Sequence, residues 1–410
     1  MFLMMSDPLM TDWADVNAKN KNLYLYGRSE DWVYKAIDIV ESKIHGIIDR
    51  DSSFHGQELH GIPIIAPKQL VDVENPFFVI TAGEYHSVVQ DLERMRYKPG
   101  EDFVCSPDLN DWIRLKKIND IEYDILISCS DYDDMSRARS SKKGGGLYSY
   151  NNVSNELNLL VKGSFRQITE LPGNRLAAIE FVNHELIIFN RDGYDIIWTR
   201  DLEKPNYCGL CYNQNRGILH LVNAGDDTIA DFKLESREVS RVRDLKSHNH
   251  TSKHHYNDCA VYNDSLFLSY FSHSGNYHLN SLDGGVARLD YDENRPTSSV
   301  ISGLSKPHSP FIKSGNLYVL DSLTGKILNS RREIIGHFPG FIRGIDYQGN
   351  FLFIGQSQDM YLSERQSDYS SVLNSGIYVY DLSTNASIFN STDGIMNIHD
   401  VLLISANYVP

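Results

Sequence analysis

From Asn22 to Cys105 short apolar runs alternate with stretches whose apolar residues recur at helical spacing. Leu23–Gly27, His45–Asp51, Phe77–Gly83 and Asp102–Ser106 predict buried strands, while Trp32–Lys43 and a segment running through Leu92 predict helices. Strand, helix, strand repetition over this length predicts a small parallel sheet covered by helices, because parallel neighbours need crossover connections. After about Ile121 the grammar changes to short apolar strands about every ten residues, punctuated by Gly, Asn and Asp. Asp124–Ser130, Arg175–Phe181, Gly217–Asn223, Ser265–Phe271, Asn316–Ser322, Phe351–Ser357 and Gly376–Leu382 are the clearest of these. The predicted organisation is a Rossmann-like α/β domain at residues 21–106, a linker at 107–122 and an all-β domain at 123–410.

Internal repetition selects among the all-β architectures. FRQITELPGNRL, YCGLCYNQNRGI, YNDCAVYNDSLF, PHSPFIKSGNLY and IRGIDYQGNFLF stack in register, each opening x-x-[QGDS], turning about seven residues on and continuing into an apolar strand. A sixth copy, IHDVLLIS, stands at Ile398–Ser405 with no strand after it, whereas the strand at Asp124–Ser130 has no such segment before it. The economical solution is a six-bladed β-propeller in which the C-terminal strand completes the first blade, leaving no open sheet edge.

The register places Arg166, Cys208, Asn257, His308, Arg343 and His399 at one equivalent position. In a propeller the innermost strands line the central channel, so these residues are expected around one of its mouths. Solvated filler is the plain explanation of polar side chains there. Four of the six are arginine or histidine, however, which makes a poor packing solution and a good clamp for an anion. Asp258 and Asp400 come next in the repeat, and His254 and His255 lie just upstream of Asn257. Histidines from separate blades with Asn257 or Asp400 would also suit a divalent metal, the one cofactor the pattern leaves open, although two nearby arginines disfavour a bare cation.

Charge and composition narrow the partners. With 39 basic and 54 acidic side chains the formal charge is −15, and no block of lysines or arginines offers a surface for a phosphate backbone, so nucleic acid is not an expected partner. The opening MFLMMSDPLM lacks a basic flank and is too short to span a bilayer, so no membrane span is expected and the chain is placed in the cytoplasm. Cys105, Cys129, Cys208, Cys211 and Cys259 form an odd set, expected as reduced thiols; Cys208-x-x-Cys211 has no second pair to complete a zinc site.

Two stretches carry resemblances. YGRSEDWVYKAIDIV, GIIDRD, HGIPIIAP and PFFVITAGEYHSVVQDLERMRYKPGEDFV resemble, element by element, the Rossmann-like domain at the front of bacterial sugar O-acyltransferases, a module also attached to other enzymes of surface-polysaccharide assembly. That likeness implies a glycine-rich first turn able to approach a phosphate. Here only Gly27 remains, followed by Arg28, Ser29, Glu30 and Asp31, while Asp49 at the end of the second strand stands where an acid could hold a ribose. Gly27 and Asp49 are thus the candidate cofactor-binding residues, beside the alternative of a degenerate docking module. HHYNDCAVYND, GLSKPHSPFIKSGNLYVLDSLTGKI and PGFIRGIDYQGNFLFIGQS resemble an uncharacterised bacterial propeller family of unknown function, the PHSP and GF-x-RG segments being its most specific marks. The family's usual His-x-Asn-Gly reads His255-Tyr256-Asn257-Asp258 here.

Two functions are expected from these features. One is an enzyme of carbohydrate or surface-polysaccharide synthesis with His308 or His399 as acid or base, and with Arg166, His255, Asn257 and Arg343 holding an anionic sugar-like ligand. The other is a non-catalytic glycan-binding or scaffold propeller that meets protein partners of polysaccharide assembly. No Ser-His-Asp signature, phosphate loop or assignable carboxylate pair decides between them.

Overall fold

The structure is a computed structural model describing residues 12–29, 31–130, 144–246, 253–279, 281, 283–296, 298–358 and 374–408. The irregular start expected at residues 1–10 and part of the histidine-rich loop at 248–258 lie outside the described residues. The chain divides into two units, residues 1–119 and 120–410.

The first unit is built on a mixed six-stranded sheet. Asn22–Tyr26 pairs in parallel with Ile44–Ile48 on one side and Pro76–Ile80 on the other; Ile62–Ile65 and Phe103–Cys105 extend the parallel run, and Glu58–Leu59 adds an antiparallel edge. Pro76–Ile80 is buried along its whole length, which is why it reads as a continuous apolar run instead of an alternating one. Val33 and Ala36 of helix Trp32–Ile39 join Leu23, Leu25, Phe77 and Val79 in one core cluster. The opposite cluster joins Tyr26, Phe78 and Ile80 to helix Tyr85–Arg94 and, through Leu109 and Ile113, to helix Pro107–Asn119. Here the linker expected at 107–122 is corrected: most of it is a helix packed on the α/β core, and by Ile121 the first long strand of the second unit has begun. Its apolar residues are sparse and Pro107 opens it, so the stretch resembled a connector; Pro at the first helical position instead suits a helix start. The edge strand Glu58–Leu59, with Gly61 in its turn, was also not anticipated.

The second unit consists of six four-stranded antiparallel sheets, a six-bladed β-propeller. Blade I combines Ile121–Cys129, Gly146–Asn151 and Glu156–Lys162 with the C-terminal strand Ile398–Tyr408. That strand runs beside Ile121–Cys129 from Ile398↔Cys129 to Tyr408↔Ile121. Blades II to VI begin on the inner strands Phe165–Leu171, Tyr207–Asn213, Tyr256–Tyr262, Pro307–Lys313 and Phe341–Gln348. Aliphatic and aromatic residues of the second and third strands fill the space between neighbouring blades: Leu186 and Ile188 of blade II meet Leu219, Leu221 and Phe232 of blade III in one cluster. Outer strands are mostly exposed, as in Ile196–Asp201.

Candidate functional site

Every inner strand carries an irregularity at the same place. The register shifts between Phe165 and Ile168, Tyr207 and Gly209, Tyr256 and Cys259, His308 and Phe311, Ile342 and Ile345, and Ile398 and Asp400. A bulge inserts a residue the partner strand does not match and re-aims its side chain. Arg166, Cys208, Asn257, Arg343 and His399 sit in these bulges, and His308, paired with Leu320, flanks its own. The repeat register read along the chain therefore corresponds to a repeated backbone device.

The residue that follows each of these ties the blades together. The Ile168 amide donates to Asp400 at 2.9 Å, the Leu210 amide to Gln167 at 2.8 Å, the Ser309 amide to Asp258 at 2.8 Å and the Gly344 amide to Ser309 Oγ at 3.1 Å. At the two remaining junctions the residue is glycine and backbone closes in: a Cβ on Gly209 would lie 2.1 Å from the Asn257 carbonyl oxygen, and one on Gly344 2.5 Å from Asp400 Cα. Gln167 also donates to the Cys259 carbonyl at 3.1 Å, reaching from blade II to blade IV. This row makes a stitched layer. The carboxylates of Asp400, which the sequence offers as an oxygen ligand for a metal, and of Asp258 accept neighbouring backbone amides and act as structural ties. Among the described residues no group of three or more His, Cys, Asp or Glu side chains is arranged to share a metal ion.

The bulge residues themselves come together unevenly. The His308 and His399 rings lie 6.3 Å apart at 88°. The Arg343 and Arg166 guanidiniums are both near enough to influence the ionisation of Cys208, Asp258 and His399. Arg343 Nε donates to the Ile398 carbonyl at 3.0 Å, and its Nη2 to Ser357 Oγ at 3.4 Å. Arg166 rests its guanidinium 4.1 Å from the Phe181 ring centre and is half-buried, whereas His308, Arg343, His399, Asn257 and Cys208 are buried. His255, also half-buried and on a left-handed backbone (φ 55°), stacks on Tyr277 at 4.2 Å and contacts Phe271 at 4.7 Å. Phe271 and Phe341 in turn meet the His308 ring at 5.1 and 5.7 Å. His308 is therefore backed by two aromatic faces, with His255 and Tyr277 packed behind Phe271.

Electrostatics keeps this site's imidazoles neutral. Burial, then the Arg343 guanidinium, holds His308 well below the ordinary histidine range. Burial followed by Arg343 and Arg166 does the same for His399, and burial with Lys306 brings His255 down to about 3. The His308 Nδ1–H donates to the Lys306 carbonyl at 2.9 Å, because a carbonyl can only accept; Nε2 keeps its lone pair. His308 Nε2 is thus left as a hydrogen-bond acceptor. Burial raises the Cys208 thiol to about 11, so it is no nucleophile. Burial also lifts Asp258 to about 6, and Asp400 well above the usual carboxylate range.

Sequence reasoning missed Gln167, Ser309, Lys306 and Phe271. The first two stood in view in the x-x-[QGDS] column. Lys306 and Phe271 follow no repeat and could be found only in space.

In the α/β unit the two candidate cofactor residues are otherwise engaged. Gly27 (φ 107°) packs so tightly that an added Cβ would lie 2.3 Å from Ala82 Cβ. Asp49 pairs with Arg28 Nε at 2.6 Å, and the Arg28 guanidinium stacks 3.7 Å from the Phe54 ring centre. Ser29 accepts from the Gly83 amide at 3.0 Å and its own amide donates to the Thr81 carbonyl at 3.1 Å, joining the first strand's turn to that of Pro76–Ile80. All five cysteines are buried and outside any disulfide. Among the described residues no helix is long and apolar enough to cross a membrane.

Residues 247–410 match the sequence profile of a domain of unknown function (DUF4915). That range includes the PHSP and GF-x-RG segments, so the resemblance to an uncharacterised propeller family is supported there. No curated protein matches the chain. Among solved structures, a protein of unknown function from Bacteroides caccae is 10% identical, with 69% of this chain and 99% of that one covered and a TM-score of 0.48. A calcium-binding protein, regucalcin, from Agrobacterium tumefaciens is 12% identical over 57% of this chain and 75% of its own, with a TM-score of 0.43.

Proposed function

We propose that the propeller binds a small anionic, sugar-like molecule at the axial ring, as part of carbohydrate or surface-polysaccharide synthesis in the cytoplasm. One observation carries this reading: equivalent positions on separate inner strands bring Arg166, Arg343 and His308 within electrostatic range of His399, and the imidazoles stay neutral. Guanidiniums recognise carboxylate or phosphate oxygens, and neutral imidazoles and the Asn257 amide suit hydroxyl groups. Catalysis at this ring would use His308 Nε2 as a base, with the guanidiniums stabilising developing negative charge.

The second reading keeps the propeller as a non-catalytic glycan-binding or scaffold protein, with the α/β unit as a docking module for proteins of polysaccharide assembly. It is favoured by the engagement of Asp49 with Arg28 and by the contact of Gly27 with Ala82, which leave the turn after the first strand poorly suited to a pyrophosphate. Parallel strands with helices on both faces, and a strand order that reverses between Asn22–Tyr26 and Pro76–Ile80, support treating that unit as Rossmann-like.

A thermal-shift panel of uronic acids, sugar phosphates and nucleotide sugars tests both readings on wild type, Arg166→Gln and His308→Gln. Stabilisation of wild type by an acid or phosphate, lost in both variants, supports the axial site. No shift with any compound removes it, and a nucleotide-sugar shift untouched by either variant moves binding to the α/β unit.

A further inference from the structure

His399 occupies an unusual position within the ring. It is buried, at 2% exposure, and its Nδ1 has no hydrogen-bond partner on another described residue. A buried polar atom left unpaired costs free energy unless something else satisfies it. The charged neighbours are cationic: Arg343 faces it from the blade VI inner strand and Arg166 from that of blade II, and His308 approaches from blade V. On its own strand stands Asp400, whose two oxygens accept the Ile168 and Val401 amides. The adjoining strand Ile121–Cys129 brings the Cys129 thiol to this end, and Phe351–Ser357 carries no ionisable side chain. Asp258, on the blade IV strand, has one oxygen occupied by Ser309 and the other, Oδ1, buried without a partner among the described residues.

We propose that the axial site binds its anion together with a proton taken up by His399, whose Nδ1 then donates to the bound anion. This rests on the anion-site reading above. The reason is electrostatic. Without a bound anion, burial and then the two guanidiniums oppose a third positive charge beside them. An anion seated between the guanidiniums cancels their field at the imidazole, and an imidazolium N–H facing it makes a charge-assisted hydrogen bond. The proton comes from solvent, no bond is broken in the ligand and nothing is oxidised. Charge balance improves as well: two guanidiniums and one imidazolium around one anion replace a neutral imidazole that, with its proton on Nε2, would turn the Nδ1 lone pair toward negative charge.

The test is isothermal titration of the full chain with D-glucuronate, whose carboxylate stays ionised near neutral pH, and with sulfate, in two buffers of low and high ionisation enthalpy. The expected result is uptake of about one proton per anion, with affinity falling about tenfold per pH unit above neutrality. His399→Gln should still bind, more weakly, with the uptake gone, while Asp258→Asn should keep it; His399→Asn serves if the glutamine variant does not fold. Identical heats in the two buffers for wild type, or uptake that persists in the His399 variants, overturn the proposal and leave the anion site standing. Absence of binding by both probes overturns the site and the proposal together.

Discussion

The Asp400 carboxylate accepts the amide of Ile168 at 2.9 Å, across 232 residues of chain. This bond joins the inner strand that ends the chain to the inner strand of blade II. Removing its acceptor strands a buried amide, which costs roughly 1–3 kcal/mol. Asp400→Ala should lower the stability to denaturant by about that amount, whereas Asp400→Asn, which keeps an acceptor and sheds a buried charge, should be far milder. Equal losses in the two variants would show that the amide finds another partner.

Removal of residues 398–410 should be more drastic. It takes away the whole inner strand of blade I and exposes the unpaired edge of Ile121–Cys129, in which Ile125, Leu126 and Ile127 are fully buried. Open apolar edges template association, so the truncated protein should elute as aggregate in size-exclusion chromatography. A monomer with a cooperative melt would show that the strand is dispensable.

Gly344 and Gly349 offer a paired substitution. Both are left-handed, at φ 71° and 59°, but a Cβ at Gly344 meets the Asp400 backbone while one at Gly349 meets nothing within 4 Å. Gly349→Ala should cost only the conformational penalty of roughly 1–2 kcal/mol. Gly344→Ala adds the displacement of blade I from blade VI and should melt well below it. Matching melting temperatures would deny the close approach of these blades.

Blade III hides an ion cluster that the sequence did not announce. His220 Nδ1 lies 2.7 Å from Asp231 Oδ1, and the Arg243 guanidinium bonds the same oxygen at 2.5 Å, all three residues being essentially inaccessible. Burial alone would raise the Asp231 carboxylate, but His220 and Arg243 outweigh it and hold the group below the usual range. Asp231→Ala should cost roughly 3–5 kcal/mol, because Arg243 is left charged and uncompensated. Replacing all three residues by apolar ones of similar volume should recover most of that in urea melts. A triple variant as unstable as the single one would assign the loss to packing.

Asp258 gives a pH signature. Its carboxyl is raised to about 6 in the folded chain by burial, against about 3.8 when unfolded, so folding favours the protonated form. The contribution of this group is fully present below the unfolded value and is lost as pH rises through about 6, by roughly 3 kcal/mol in all. Asp258→Asn, free of that term, should gain on wild type as pH rises from 4 to 7. A stability difference flat across that range would show that the carboxyl titrates normally.

Substitutions at the two ring arginines should differ in their effect on stability. Arg343 bonds the Ile398 carbonyl and Ser357, so Arg343→Ala would loosen blade VI from blade I as well as remove a charge. Arg166, half-buried on Phe181, is the better probe of binding.

Periodicity along the chain was enough to separate an α/β unit from a propeller, to count its blades and to align six inner strands, because each blade repeats the same apolar strand and turn chemistry. The aligned column Arg166, Cys208, Asn257, His308, Arg343 and His399 was legible for the same reason. What those residues do was not legible, since it depends on distances between strands remote in sequence. Only the folded chain makes Asp258 and Asp400 blade ties instead of free carboxylates, turns Asp49 toward Arg28, and buries His308 and His399 beside guanidiniums so that they remain neutral. Residue type and spacing carry the repeat; burial and the fields of neighbours from other blades set protonation and partner, and these arise only when the ring is closed.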